Sequence, residues 1–221
     1  MKKIVLLVLC LILSGFCLTS CRKDDEPFEE KTYTSDTQIS EICLDVRDRE
    51  IEVSLSEDNR VHIQYFENSK EYYDISVSDR QVLTMSSAYD KEWTDYIGGK
   101  TATENRKILL QIPNESVNVL TLSTTNENIS LSALTVTKQI HLSSNGGNIV
   151  FEDLNVGDAL FLTVKNGDIA GTVNGSYDDF AVQSEIKKGQ SNLPDQKTGG
   201  EKTLQVSANN GDVDITFENN P

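Results

Sequence analysis

The chain has 221 residues, 35 of them acidic and 20 basic, for a formal net charge of −15, and 37% of its residues are hydrophobic. That acidity argues against nucleic acid as a partner, because such binding is driven by Lys and Arg neutralising phosphates, and it opposes electrostatic docking on anionic lipid. The modest apolar share excludes a polytopic membrane protein and disfavours a thick globular core, but it suits a thin, elongated fold in which most residues touch water.

Residues 1–20 open with Lys2-Lys3, run through apolar residues from Ile4 to Leu13 and leave through Ser14-Gly15-Phe16-Cys17-Leu18-Thr19-Ser20. A charged start, a short apolar run and a small-residue exit make a secretory signal, and the run falls short of the ~20 apolar residues that a membrane span needs. Its removal takes Lys2, Lys3, Cys10 and Cys17 with it, so the mature chain is more acidic still and keeps only Cys21 and Cys43. Leu18-Thr19-Ser20-Cys21 resembles a bacterial lipobox, which implies that Cys21 becomes the first mature residue and carries lipid. Several acyl chains together anchor stably where a single one does not. Lys23-Asp24-Asp25-Glu26 resembles the acidic export signal that sends some lipoproteins to the outer face of the outer membrane. Its plainer reading is a solvated tether, and residues 21–38, rich in Asp, Glu and Thr, are expected to be an acidic flexible linker. Cys43 is left without a partner for an intramolecular disulfide. Between Ile42 and Leu44 it is expected to pack as a small apolar residue. His62 and His141 stand alone in the sequence, and no Cys/His metal spacing occurs, so neither metal nor cofactor is expected.

From 39 to 118 the chain reads as a series of strands. Ile42/Leu44/Val46, Ile51/Val53/Leu55, Val61/Ile63/Tyr65, Ile75/Val77, Leu83/Met85 and Ile108/Leu110/Ile112 alternate apolar with polar, the period-2 signal of a half-buried strand. Their spacing is ragged, which fits either irregular further coils or a sheet capping the repeats that follow. A long connection at 86–106 carries Tyr89, Trp93 and Tyr96 beside Gly98-Gly99. Aromatic rings on a loop can stack on sugars or on a partner protein, so these three are the candidate ligand contacts. The competing expectation is that they fold back over the end of the core, since exposed Trp is uncommon.

From 119 to 218 the strands repeat. Leu120, Ile140, Leu160, Phe180 and Leu204 form one column with steps of 20, 20, 20 and 24, and Leu122, Leu142, Leu162, Val182 and Val206 form its neighbour. Ile129, Ile149, Ile169, Gly189, Val213 and Leu131, Phe151, Gly171, Ser191, Ile215 follow the same steps. Asn126-Glu127-Asn128, Gly146-Gly147-Asn148, Asn166-Gly167-Asp168 and Asn210-Gly211-Asp212 mark one shared corner, built from the residue types that tolerate tight turns. A second long connection spans 187–202. A fixed period near 20 predicts a stacked solenoid. Antiparallel hairpins are the alternative, but they would not match residue types from unit to unit as parallel stacking does. The expected fold is therefore all-β: a single-stranded parallel β-helix or β-solenoid with coils of about 20 residues, whose N-terminal strands form a cap or extra coils. Asn128, Asn148, Asp168 and Asp212 form a polar ladder whose oxygens suit calcium. The Gly-rich calcium-binding nonapeptide is missing, however, and the corners call for these residue types anyway.

Asn166-Gly167-Asp168-Ile169 and its counterpart Asn209-Asn210-Gly211-Asp212-Val213, the run Lys187-Lys188-Gly189-Gln190-Ser191-Asn192-Leu193-Pro194 and Gly199-Gly200-Glu201-Lys202-Thr203-Leu204 resemble the DUF4097-type adhesin-like family of unknown function. The resemblance implies a bacterial β-solenoid domain on an envelope protein over about 39–218, and it brings no catalytic residues. The expected protein is a lipoprotein anchored through Cys21 at the outer membrane, facing the cell surface, with a non-catalytic binding role toward a glycan or an envelope or host protein. A periplasm-facing stress sensor or scaffold is the alternative. A β-helix carbohydrate-active enzyme ranks lower, because incidental carboxylate pairs are unavoidable on so acidic a surface.

Overall fold

The computed structural model describes residues 26–92 and 101–218. The signal segment, Cys21, Trp93 and Tyr96 lie outside these residues. Among the described residues no helix is long and apolar enough to cross a membrane. The helical turns among the described residues, Thr103–Arg106 and Tyr177–Asp179, are short 3-10 segments.

The regular coils each give one strand to each of two facing sheets. β8 (Val119–Thr124), β11 (Gln139–Ser144), β13 (Ala159–Asn166) and β17 (Lys202–Asn210) run parallel in one sheet, here sheet B. β9 (Ile129–Leu131), β12 (Ile149–Val156), β14 (Ile169–Asn174) and β18 (Val213–Glu218) run parallel in the other, sheet A, and β10 (Leu134–Val136) joins β12 there. The inward rows are the columns of the repeat. Leu120, Ile140, Leu160 and Leu204 stand in register and are fully buried. Ile129, Ile149, Ile169 and Val213 do the same in the facing sheet. One continuous hydrophobic cluster lies between the sheets, each large aliphatic side chain contributing about 1.5–3 kcal/mol by leaving water.

The corners stay tight because each is hydrogen-bonded to the next. Oδ1 of Asn128 accepts the backbone N–H of Asn148 at 2.8 Å, Asn148 accepts that of Asp168 at 2.9 Å, and Asp168 accepts that of Asp212 at 2.8 Å. The ladder oxygens are thus used on the neighbouring backbone. Backbones also approach closely here: a Cβ on Gly211 would lie 1.9 Å from the carbonyl oxygen of Gly167, so only glycine fits.

The stack departs from sequence order at both ends. β15 (Phe180–Ile186) does not sit between β13 and β17; it pairs with the far side of β17, with Val182 opposite Leu204 and Phe180 opposite Lys202. The column that places Phe180 between Leu160 and Leu204 is therefore corrected in both order and register. A slip of two residues leaves the same side chains facing inward, so alternation alone cannot detect it. The end position suits Phe180, whose ring packs 5.4 Å from that of Phe217. Ser191 bridges Val213 rather than Ile215, which repeats the same slip in sheet A. β16 (Gln196–Lys197) closes this edge of sheet B antiparallel to β15.

At the other end both N-terminal expectations hold together. β2 (Glu41–Asp45) and β3 (Glu50–Leu55) form a coil inserted between the β8–β9 coil and the pair β6 (Val82–Tyr89) and β7 (Lys107–Ile112). Beyond these, β5 (Glu71–Val77) pairs antiparallel with β6, and β4 (His62–Glu67) antiparallel with β7. The last strand of sheet A is β1 (Glu29–Thr34), antiparallel to β4 from Glu29↔Glu67 to Thr34↔His62. Residues 29–34, expected as flexible linker, are strand. Their pairing to β4 outweighs an acidic composition, and Glu29, Glu30 and Lys31 place charges on the exposed edge that discourage further pairing.

Candidate functional site

Of the three aromatic candidates, Tyr89 lies among the described residues. It ends β6 opposite Glu71, is 36% exposed, and carries the Lys91 ammonium 5.4 Å from its ring centre. So Tyr89 belongs to a strand rather than to the long connection. The base of that connection is built around Glu71. One carboxylate oxygen of Glu71 takes Lys91 Nζ at 2.8 Å and Thr101 Oγ1 at 2.9 Å, while the other takes Arg49 Nη2 at 2.6 Å. Arg49 Nε donates to the Tyr73 hydroxyl at 2.6 Å. Arg49 and Glu71 are buried, at 3% and 8% exposure. Burial pushes the Glu71 carboxyl up, but the bonds from Lys91 and Arg49 outweigh it and hold the group below the ordinary glutamate value. Burial drives the Tyr73 phenol up to about 12. The arrangement ties residues on either side of 92–100 to a single carboxylate.

A groove of about 950 Å³ lies on the outer face of sheet A, floored by β1, β4, β7, β3, β9 and β12 and overhung by Glu57 and Asp58. At its rim His62 Nε2 meets Asp58 Oδ1 at 2.8 Å, and His62 Nδ1 meets Thr34 Oγ1 at 3.0 Å. Hydroxyl, imidazole and carboxylate in that order are the parts of a hydrolytic relay. Asp58, however, also accepts the backbone N–H of Arg60 at 2.9 Å and the Arg60 Nε at 3.1 Å, so it organises the 56–60 turn. The His62 bond holds its carboxyl well below the usual range. This geometry orders a turn.

The outer face of sheet B differs in kind. His141 and Phe161, neighbours in register on β11 and β13, stack with ring centres 4.4 Å apart and planes 11° from parallel. Cys43 lies on the same face between Thr84 and Thr121, half-buried and facing outward rather than packed into the core between Ile42 and Leu44. Burial, then the Asp45 charge, raises its thiol pKa, which keeps it protonated.

A family model described as Toastrack DUF4097 matches residues 39–220. The chain belongs to the Toastrack family. Among solved structures, a candidate cell adhesion protein from Clostridium sporogenes ATCC 15579 aligns over 87% of this chain and 100% of its own at 10% identity and a TM-score of 0.59. At that identity the likeness speaks for the fold. Candidate adhesins from Bacteroides fragilis NCTC 9343 and Parabacteroides merdae ATCC 43184 align at 12% and 18% identity, over 87% and 88% of this chain and 97% and 80% of theirs, with TM-scores of 0.37 and 0.38. No curated protein matches the chain.

The Toastrack fold also brings together what the sequence leaves apart. His62 and His141 read as isolated, yet each has a partner. His62 meets Thr34 and Asp58 only because β1 adds to the edge of β4, and no local signal marks that pairing. His141 over Phe161 is different: the two are one 20-residue period apart, so the repeat itself could have placed them together.

Proposed function

We propose that this Toastrack domain is a non-catalytic binding module of the cell envelope, anchored at the outer membrane by lipid on Cys21 and facing the cell surface. The observation that carries the reading is the short distance between anchor motif and folded domain. Leu18-Thr19-Ser20-Cys21 ends an apolar stretch, and β1 begins at Glu29, eight residues past Cys21. Fully extended, that link spans at most ~28 Å. The last part of it is held back further, since Asn68 Nδ2 donates to the Glu26 carbonyl at 3.1 Å. A domain so placed rides near the membrane and offers two broad sheet faces rather than one closed cleft. Lys23-Asp24-Asp25-Glu26 favours the outward side.

Two measurements test the proposal. Cys21→Ala should move the protein from the membrane to the soluble fraction in detergent-free lysates, and unchanged membrane retention sinks the anchor. Protease shaving of intact cells should clip the domain while a periplasmic control survives. Protection until the outer membrane is broken would instead favour the periplasmic sensor or scaffold.

A further inference from the structure

Four neighbouring strands of sheet B have an outer face poor in charge, bounded by Glu41 and Asp45 of β2 beside Val119 and Ser123 and by Glu185 of β15 beside Ser207. Across β8, β11, β13 and β17 the inward side chains are the even-numbered core residues, and the odd-numbered ones face out. Those outward positions include one charged residue, Lys165, in a chain where a quarter of all residues are charged. The rest are mainly Ser, Thr, Gln and Asn around the His141–Phe161 stack. Sheet A is different on its outer side, where Glu52, Lys107 and Glu152 stand among the outward residues.

Most polar groups on this face are also unspent; Gln139 Oε1, 3.3 Å from His141 Nε2, is an exception. Among the described residues Thr121, Ser123, Ser143, Thr163, Gln205 and Ser207 make no side-chain hydrogen bond, although corner residues of the same coils do. Their rows are fixed by the parallel register, with Thr121, His141, Phe161 and Gln205 side by side at the ~4.8 Å strand spacing. Burial lowers the His141 pKa, which favours the neutral ring.

We propose that this face, centred on Phe161, binds an uncharged glycan chain. The proposal rests on the reading of the domain as a binding module and supplies its ligand class and its site. A sugar chain offers hydroxyls to match a field of hydroxyl and amide groups, and the apolar faces of its rings to match Phe161. The overall charge of −15 repels polyanions. A cationic ligand would find carboxylates only at the margins of this face, on β2 and β15, and none on the strands around Phe161. A protein partner typically selects surfaces rich in Tyr, Trp, Phe, Met and Arg, of which these four strands present Phe161 alone.

The test uses the full chain in detergent micelles, with maltohexaose, cellohexaose and mannohexaose as neutral probes and hexagalacturonate as the charged one. At least one neutral probe should bind saturably and hexagalacturonate should not. Phe161→Ser should weaken that binding by tenfold or more. Thr163→Glu, which adds a charge without removing the ring, should weaken it comparably with an unchanged melting temperature, and so keeps the test valid if Phe161→Ser unfolds. Failure of every neutral probe, or equal binding of hexagalacturonate, overturns the proposal. Binding undiminished in both variants overturns this site while leaving the binding-module reading intact. A dimer in light scattering that Thr163→Glu dissociates would make the face a seat for a second copy and would likewise overturn it.

Discussion

The backbone N–H of Asp212 donates to Oδ1 of Asp168 at 2.8 Å, across 44 residues of sequence. The preceding steps of the same ladder, Asn128 to Asn148 and Asn148 to Asp168, each cross 20. Oδ1 of Asp212 in turn accepts the backbone N–H of Gln190 at 2.8 Å. The ladder thus runs along the stack while the chain does not, because the segment that follows β14 is carried past its neighbour to the end. Any one rung is a local contact, but it fixes which coil lies on which.

Removing a rung should cost about what one hydrogen bond contributes. Asp168→Ala leaves the Asp212 N–H to solvent and should destabilise by ~0.5–1.5 kcal/mol, a fall of roughly 2–4 °C in melting temperature for each kcal/mol in a domain of this size. Asp168→Asn keeps the Oδ1 acceptor and should melt within about 1 °C of the natural chain, since its hydrogen bond is retained. Equal losses in both variants would mean that the charge, not the acceptor, matters at this corner.

The slip of β15 makes a sharper prediction. Gln183 and Gln205 face outward and are register partners, whereas a 24-residue step would pair Ala181 with Gln205. Register partners in parallel strands lie near 4.8 Å apart, within disulfide range, and a two-residue offset along the strand takes Cα atoms to ~7–8 Å, beyond it. On a Cys43→Ser background, Gln183→Cys/Gln205→Cys should crosslink readily under mild oxidation and Ala181→Cys/Gln205→Cys should not. The reverse outcome would restore the simple column.

What was legible in the sequence follows from what parallel stacking repeats. Leu120, Ile140 and Leu160 share a column because each coil places the same side chain above the last, so period, corner and all-β class can be read directly. Order could not be read where the chain skips a position, because Val182 and Phe180 serve equally well as inward residues opposite Leu204. Antiparallel additions such as β1 carry no repeat at all, and Glu29–Thr34 has the composition of a linker. The aromatic candidates were placed by loop composition, which missed that Tyr89 is strand. The charge-poor face is written in the odd-numbered positions of each repeat, but it becomes a surface only once the register sets those rows side by side.

Gly171 looks like an underpacked position in an inward row, between Phe151 and Ile215. It is the reverse. A Cβ there would lie 2.4 Å from both Cδ2 and the carbonyl oxygen of Phe151. The Phe151 ring, 1% exposed, fills the space that a side chain on Gly171 would take. Gly171→Ala should therefore destabilise by about 1–3 kcal/mol as overpacking does, although alanine is the better strand residue by volume. Phe151→Leu should recover part of the loss when combined with it, so the double variant will be less unstable than the sum of the two singles. Strict additivity in denaturant melts would show that the strain lies in the backbone contact alone.

The Glu71 cluster predicts a specific acid sensitivity. Glu71 is the carboxylate for Arg49, which is 3% exposed and would be left buried without a counter-charge. Breaking such a pair from one side typically costs about 3–5 kcal/mol, so Glu71→Ala should be among the most damaging single changes, and Glu71→Gln, which keeps the shape but loses the charge, should fall between it and the natural chain. The folded-state pKa of Glu71 is lowered. A lowered pKa means that the stabilisation is fully present above the unfolded-state value, ~4.3 for glutamate, and is lost as pH falls through the folded value. The readout is a difference between two variants, so that contributions from other groups cancel. The stability gap between the natural chain and Glu71→Gln, measured by urea melts at successive pH values, should be constant from neutral pH down to the ordinary glutamate range and shrink below it. A gap that stays flat to the lowest pH would mean that Arg49 finds its counter-charge elsewhere.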